Sequence, residues 1–596
     1  MNCKLCHGLQ FFIFIPLLQV HGHLLNLFHK PISMNNRIIE CVPNISEGRD
    51  LEKINTIARV VESVEGIKLL DIDPGNATNR TVITFVGEPE KVIEAAFLLI
   101  KKAAELIDMS KHQGEHPRFG ATDVCPLIPI SGISMKETAA FADALGKRVG
   151  KELGIPGYYY EAAASEEKRK NLANCRAGEY EGLKEKLTNP DWKPDFGPAE
   201  FNTSVQKTGA IAISAREFLI AYNVNLNSTS ARRANAVAFD IREAGRIAGN
   251  DPKTGKPVLD DEGNPLRIPG KLKAVKGIGW YIEEYGIAQI SYNLTNISLS
   301  PLHVVFDETC KAAERRGLRV TGSELVGLLP LKSMLDAADY FLRKQERSLG
   351  ISVDEKLKIA VKSLGLDDLK PFNPKEKIIE YLLEEKNTKK LTDLSVRAFA
   401  DETASESMAP GGGSISAYVG ALGVSLGTMV ANLSAHKSGW DEKWEMFSEW
   451  AEKGQKLKDT LLLLVDEDTR AFNKIIEGFR LPKGNSEEIE LRKKAIEEAT
   501  KYASEIPLAV MENACASMEI MKKMVETGLQ SSLSDAAVGA LCAKTAVTGA
   551  YLNVRINVKD IKDQDFVVKI LEKAKGLAGA SAKMEQEIMS LVDTRI

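Results

Sequence analysis

A chain of 596 residues exceeds what one hydrophobic core organises, so two to four domains are expected. Its 44% apolar and 27% charged residues are those of a soluble globular protein. The net charge of −4 offers none of the general basic surface that nucleic acid asks for.

The first 33 residues differ from the rest. An apolar run from Leu9 to Val20, broken by Gln10, Pro16 and Gln19, is too short to span a bilayer, and no small-x-small cleavage site follows it. Met34 is the expected working start, with the leader read as an upstream start-site artefact rather than a signal peptide. Cys3, Cys6 and His7 in this leader fit the CxxCH of haem attachment, but nothing around them supplies a pocket, and chance explains the match. The other cysteines, Cys41, Cys125, Cys175, Cys310, Cys515 and Cys542, are scattered, which suits reduced thiols and a cytoplasmic location.

From residue 37 the pattern predicts a strand (Ile38–Val42), a helix (Leu51–Val64), strands at Lys68–Asp73 and Thr81–Val86, and a helix over Glu90–Met109. A strand (Val124–Ile130), a helix (Lys136–Leu153) and a strand (Gly157–Glu161) follow. Residues 162–207 read as polar and irregular. Strands Ala210–Ser214 and Phe218–Leu226, a helix through Arg246 and a turn-rich loop at 251–270 lead into a second strand–helix series ending near 383. Beyond residue 391 only helical periodicity remains, in segments 414–434, 443–476, 486–504, 508–526, 535–554 and 565–591. The fold class is therefore multidomain: two α+β, helix-backed-sheet subdomains (34–215 and 216–383), a linker (384–390) and an all-α helical bundle (391–596).

Chemistry-bearing residues cluster first in Lys111–Pro129. His112 and His116 are two of the four histidines outside the leader, and imidazole suits proton transfer near neutrality. With Glu115 they spell HxxEH, but Gly114 and Pro117 break the helix that a zinc site of that type needs, so no metal is expected. Asp71, Asp73, Asn79 and Arg80 surround the PGNATN turn, where carboxylates either orient a base or make Asx turns. Gly411, Gly412 and Gly413 open a helix without a Walker lysine, and a turn capped by Ser414 accounts for them. In the apolar segment LVDEDTRAF, Asp468 lies four residues from both Leu464 and Phe472 and so points to the packed face, with Asp466 and Glu467 further round. An acid there is either salt-bridged or a tuned proton carrier.

Several long motifs carry a family resemblance. IIECVPNISEGRD, LLDIDPGNATNRTVITFVGEP, IDMSKHQGEHPRFGATDVCPLIPI, RAGEYEGL, PDFGPAEF and GIGWYIEEYGIAQISYNL resemble the glutamate formimidoyltransferases. LSVRAFADETASESMAPGGGSISAYVGALG, LVDEDTRAF and YLNVRINVKD resemble the formimidoyltetrahydrofolate cyclodeaminases, in the order of the fused bifunctional enzymes. The resemblance implies transfer of a formimino group from N-formimino-L-glutamate to N5 of tetrahydrofolate, a late step of histidine degradation. Ring closure to 5,10-methenyltetrahydrofolate with release of ammonia would follow. It implies tetrahydrofolate, with or without a polyglutamate tail, as co-substrate and no metal or redox cofactor. It further implies His116 as the transferase acid/base, Asp73 in its substrate site and Asp468 as the cyclodeaminase carboxylate. The folate-binding segment would be Gly197, Pro198, Ala199, Glu200, Phe201, Asn202, Thr203, Ser204, Val205 and Gln206, of which the first half matches better. Arg80 and Arg118 are candidates for a substrate carboxylate, since guanidinium groups suit bidentate recognition. The partners implied are a homo-oligomer built from dimers, with no nucleic acid or membrane. Two other readings stay open: a helical domain that only binds folate or oligomerises, and a metallohydrolase on His112, Glu115 and His116.

Overall fold

The computed structural model describes residues 37–76, 78–114, 118–249, 256, 258–260, 263–383 and 390–596. The leader with its CxxCH and Met34, the residues Glu115, His116 and Pro117, and the expected linker up to residue 389 lie outside the described residues. The chain divides into two compact units, one closing at Ile220 and the other beginning at Ala221, with Val326–Leu328 counted to the first.

The first unit holds seven strands: β1 (Ile38–Cys41), β2 (Asn44–Ile45), β3 (Lys68–Gly75), β4 (Arg80–Gly87), β5 (Thr122–Ser131), β6 (Gly157–Glu161) and β7 (Ile211–Ala215). Strands β1 and β2 both lie between β4 and β5, antiparallel to each; β3 extends the sheet beyond β4, while β7 and β6 continue it in parallel beyond β5. Side chains alternate between the faces. Ile39, Cys41, Ile83, Phe85, Cys125, Leu127, Ile211 and Ile213 form one core with helices α1 (Leu51–Arg59), α2 (Pro89–Leu106) and α3 (Met135–Arg148). The stripe expected on α2 is the buried one: Val92, Ala95, Ala96, Leu99 and Ile100. By register the opposite face carries Glu40, Asn44, Asp71, Asp73, Arg80 and Thr84. One end of that face is closed by Phe119, Tyr158, Tyr160, Cys175, Leu183 and Val205. The stretch expected to be irregular, 162–207, in fact contains helical turns at Glu167–Lys170, Leu172–Arg176, Leu183–Thr188 and Thr203–Thr208. Each is too short to show a helical period in sequence.

The second unit begins with β8 (Ile220–Leu226) and, after the two-residue β9 (Arg246–Ile247) and β10 (Arg267–Ile268), adds β11 (Val275–Ile282), β12 (Ile287–Leu294) and β13 (Val320–Val326). Its main sheet runs β11-β12-β8-β13 and is accompanied by α4 (Ala231–Ile241), α5 (Leu302–Glu314), α6 (Leu331–Lys344) and α7 (Val353–Leu364). Helix α4 stops at Ile241 rather than running to Arg246, because the chain turns at Gly245, where φ is +57°, and Arg246 enters β9. The all-α part consists of α8 (Val396–Thr403), α9 (Gly412–Ala435), α10 (Trp444–Arg480), α11 (Ser486–Thr527), α12 (Leu533–Asn557) and α13 (Gln564–Asp593). Helix α9 packs against α10, α11 and α12, while α13 lies against α11 and α12. By length and composition α9 could cross a membrane, yet 61% of its most apolar window is buried within the protein, as a core helix is.

The two helices expected on either side of Pro507 are one. Pro507 has no N–H to give the carbonyl of Ala503, which normally breaks or kinks a helix. Here the Asn557 side-chain amide donates to that carbonyl at 2.7 Å, so the freed acceptor keeps a partner and α11 continues.

Candidate functional site

In the first unit the PGNATN turn and the histidine loop are stitched together by one residue. Asn79, at φ +49°, accepts from the Gly48 N–H (2.9 Å) and donates to the Gln113 carbonyl (2.8 Å) through its side chain. Its own carbonyl lies 2.9 Å from His112 Nε2. The segments approach so closely that a Cβ on Gly114 would overlap the Thr78 carbonyl, which only glycine permits. Burial pushes the His112 imidazole below its ordinary pKa, and its Nδ1 is buried without a partner among the described residues. Because a carbonyl can only accept, His112 Nε2 is the donor to Asn79.

Arg118 tethers the other end of the same loop. Its guanidinium donates to the carbonyls of Met109 (3.1 Å) and His112, pairs with Glu181 and lies over the Tyr180 ring, 5.1 Å from its centroid. Tyr180 in turn donates through its hydroxyl to the Gln206 carbonyl (2.5 Å) and packs against Phe201. The segment Gly197–Gln206 is therefore a neighbour of the histidine loop. Within it Asn202 caps the turn Thr203–Thr208 by accepting from the Val205 N–H (3.0 Å), and Gly197 sits at φ +78°.

Arg80 donates through Nε to Asn44 (2.9 Å) and pairs with Asp123, a carboxylate with no exposed surface. Arg176 bonds the same carboxylate at 2.9 Å. Burial pulls Arg80 below its ordinary pKa, Asp123 opposing it; a carboxylate buried this completely is tolerable only with such partners. Glu40, 2% exposed on the face that also bears Asp71 and Asp73, is pushed up to about 7 by burial against the pull of Arg216. Asp123, Arg176, Tyr180 and Glu40 were not singled out in the sequence. The signal was their place inside the quoted motifs IIECV, ATDVCP and RAGEYEGL.

In the second unit Asp468 lies on α10, half-buried, against the first turn of α9. Its Oδ2 accepts from the Ser414 N–H (2.8 Å) and hydroxyl (2.9 Å). A Cβ on Gly413 would overlap Oδ1, so the glycine run makes the room that the carboxyl occupies. Burial raises the Asp468 pKa and the two Ser414 bonds hold it back. Two expectations change here. The N-cap of α9 is Gly411, and Ser414 instead sits inside the first turn. Asp466 does not lie round toward solvent: it is 8% exposed and accepts from the Leu391 N–H (2.6 Å) and the Thr392 hydroxyl (2.7 Å), tying the entry of the helical part to α10. Glu467 pairs with Arg470 and accepts from Tyr502. Asn553 of α12 borders Gly412. No group of three or more His, Cys, Asp or Glu among the described residues is arranged to hold a metal ion.

Comparison with known proteins follows this two-part geometry. The models of the formiminotransferase domain match residues 38–216, as its N-terminal subdomain, and 221–384; that of formiminotransferase-cyclodeaminase matches 395–576. The class is accordingly a fused one, a sheet-built transferase region followed by a helical cyclodeaminase region. The formimidoyltransferase-cyclodeaminase of Gallus gallus is 43% identical over 547 residues, covering 90% of this chain and 97% of its own length. The two regions also match shorter proteins. Glutamate formimidoyltransferase of Thermoplasma acidophilum is 40% identical over 54% of this chain and 98% of itself. Methenyltetrahydrofolate cyclohydrolase of Methylorubrum extorquens is 31% identical over 34% of this chain and 97% of itself. The chain belongs to the formimidoyltransferase-cyclodeaminase family.

Proposed function

We infer that the chain is a bifunctional folate enzyme that moves the formimino group of N-formimino-L-glutamate to N5 of tetrahydrofolate and then closes 5-formiminotetrahydrofolate to 5,10-methenyltetrahydrofolate, releasing ammonia. In the first step N5 attacks the amidine carbon; His116 takes the N5 proton and returns it to the departing glutamate nitrogen. Asp73 lies in this substrate site, and the segment Gly197–Gln206 binds the folate. Both arginines are engaged within the protein, Arg80 with Asp123 and Asn44 and Arg118 with Glu181 and the loop carbonyls, and both stand as candidates for the substrate carboxylate. In the second step N10 attacks the same carbon, and Asp468 relays a proton so that ammonia leaves.

The observation that carries the two-site reading is Asp468 itself. It is a carboxyl raised by burial, held through Oδ2 by uncharged donors, with Oδ1 set against Gly413. General acid–base catalysis contributes about 10²–10⁴-fold. Asp468→Asn should therefore slow ring closure of supplied 5-formiminotetrahydrofolate by about that factor and leave formimino transfer intact. His116→Ala should do the opposite. Loss of both activities in either folded variant would count against separate sites, and methenyl absorbance followed together with ammonia release reads both.

We also propose a cytoplasmic homo-oligomer that accepts polyglutamylated folate. Its six described cysteines are free, and exposed apolar residues stripe α9 (Leu422, Met429 and Leu433) and α12 (Val538, Leu541, Leu552 and Ile556), a surface suited to a second copy.

A further inference from the structure

We propose that Ser414 is a positioning residue of ring closure, whose hydroxyl turns between Asp468 Oδ2 and the Val465 carbonyl as the carboxyl changes its protonation state. The inference rests on the reading of Asp468 as the proton relay.

Ser414 has no exposed surface, and its Oγ has two acceptors in reach: Asp468 Oδ2 at 2.9 Å and the Val465 carbonyl at 3.0 Å. A hydroxyl carries one proton, so it donates to one of them at a time. With Asp468 ionised, the hydroxyl and the Ser414 N–H both donate to Oδ2, which leaves Oδ1, beside Gly413, as the oxygen to take the substrate proton. Once Oδ1 is protonated, Oδ2 needs less donation and the hydroxyl turns to Val465. In either state Oδ2 keeps the Ser414 N–H and the hydroxyl keeps an acceptor, which lowers the cost of repeated proton uptake and release.

The step balances. The N10–C bond forms on the protonated amidine, the N10 proton passes to Asp468 Oδ1 and from there to the exocyclic amino group. The C–N bond then breaks to give ammonia and the methenyl cation, with Asp468 again ionised. Asp468 thus enters each turnover as a base, and donation from Ser414 lowers its pKa while burial raises it.

The charged groups nearby do not set this balance. On α10 itself Asp466 is bound to Leu391 and Thr392, and Glu467 to Arg470 and Tyr502 of α11. On α12 Arg555 lies over Tyr551, the residue bordering the glycine turn is Asn553, and α9 brings only Ser414. Burial and the two Ser414 bonds are the causes acting on Asp468.

The test is the pH profile of ring closure, measured on the full-length protein with supplied 5-formiminotetrahydrofolate. Removing the hydroxyl removes a bond to the ionised form, so the acidic limb of kcat/KM in Ser414→Ala should move to higher pH by about one unit. Ser414→Thr keeps the hydroxyl and should leave the limb where it is. An unchanged thermal transition of the helical part reports that the variants are folded, and unchanged formimino transfer reports that the other site is intact. A Ser414→Ala limb that coincides with the wild type, whatever the loss in kcat, would reduce Ser414 to a packing residue and overturn this inference. Asp468→Asn failing to close the ring in the same assay would show that the parent reading still stands. Ring closure by Asp468→Asn at the wild-type rate would overturn both together.

Discussion

The two units hold their buried acids in different ways. In the first, Asp123 is enclosed with Arg80 and Arg176 on the same carboxylate, and the loops around it are laced by Asn79, His112 and Arg118. In the second, Asp468 is held only by a backbone N–H and a hydroxyl, and nothing cationic offsets its burial. A carboxylate between guanidinium groups has its buried charge compensated and works as a structural part. One held by neutral donors is left with a raised pKa and can change its protonation state. Burial alone therefore does not mark a catalytic acid; the nature of its partners does.

The largest expected effect breaks the first half of that comparison. Asp123→Ala leaves two arginines without their buried counter-charge, which should cost about 3–5 kcal/mol. In the full-length protein, thermal unfolding should show its earliest transition several degrees lower, with ring closure by the helical part kept below that temperature. An unchanged melting profile would mean that Asp123 is not the anchor of this network. A smaller effect sharpens the second half. Gly413→Ala places a methyl group against Asp468 Oδ1, the oxygen left for the substrate. Displacing a reacting group by about an ångström costs on the order of 10²-fold, so ring closure should fall by about that factor while stability and formimino transfer stay near wild type. A Gly413→Ala enzyme closing the ring at full speed would place the proton relay elsewhere.

How much of this was legible in the sequence follows from the range of each interaction. Period-2 and period-3.6 patterns are local, and they placed β1, β3, β4, β6, α1 and α2 within a few residues. Asp468 was also found locally, from its spacing to Leu464 and Phe472, although Phe472 turns out to be 38% exposed and the row marks the edge of the packed face. The burial of Asp466 is not legible in the same way: it comes from Leu391 and Thr392, more than seventy residues earlier, which no helical wheel contains. The pair Asp123 and Arg176 is silent in the sequence because an ion pair across 53 positions leaves no periodic trace. A Ser beside glycines at a helix start is usually a cap, whereas the partner of Ser414 lies 54 residues on. Family motifs recovered part of what spacing could not, but as whole stretches rather than as single contacts.

Pro507 supplies the smallest effect and the cleanest test of that long-range logic. A proline ends a helix locally because the carbonyl four residues back loses its donor. The continuity of α11 therefore has to be provided from elsewhere, and the Asn557 amide at the end of α12 provides it by donating to Ala503. Ala503 is 6% exposed, so water offers little replacement. Asn557→Ala should cost about 1–3 kcal/mol, the penalty of an unsatisfied buried carbonyl. Calorimetry on the full-length protein should show it as a drop of a few degrees in the transition of the helical part, while transfer at the other site is unaffected. Pro507→Ala restores the missing N–H within α11, so adding it to Asn557→Ala should recover most of the loss. In the presence of Asn557, Pro507→Ala should change stability differently, because the amide and the new N–H then compete for one carbonyl. A double-mutant cycle isolates this coupling. Purely additive changes would separate Asn557 from the proline and leave α11 held by its packing on α10 and α12 alone.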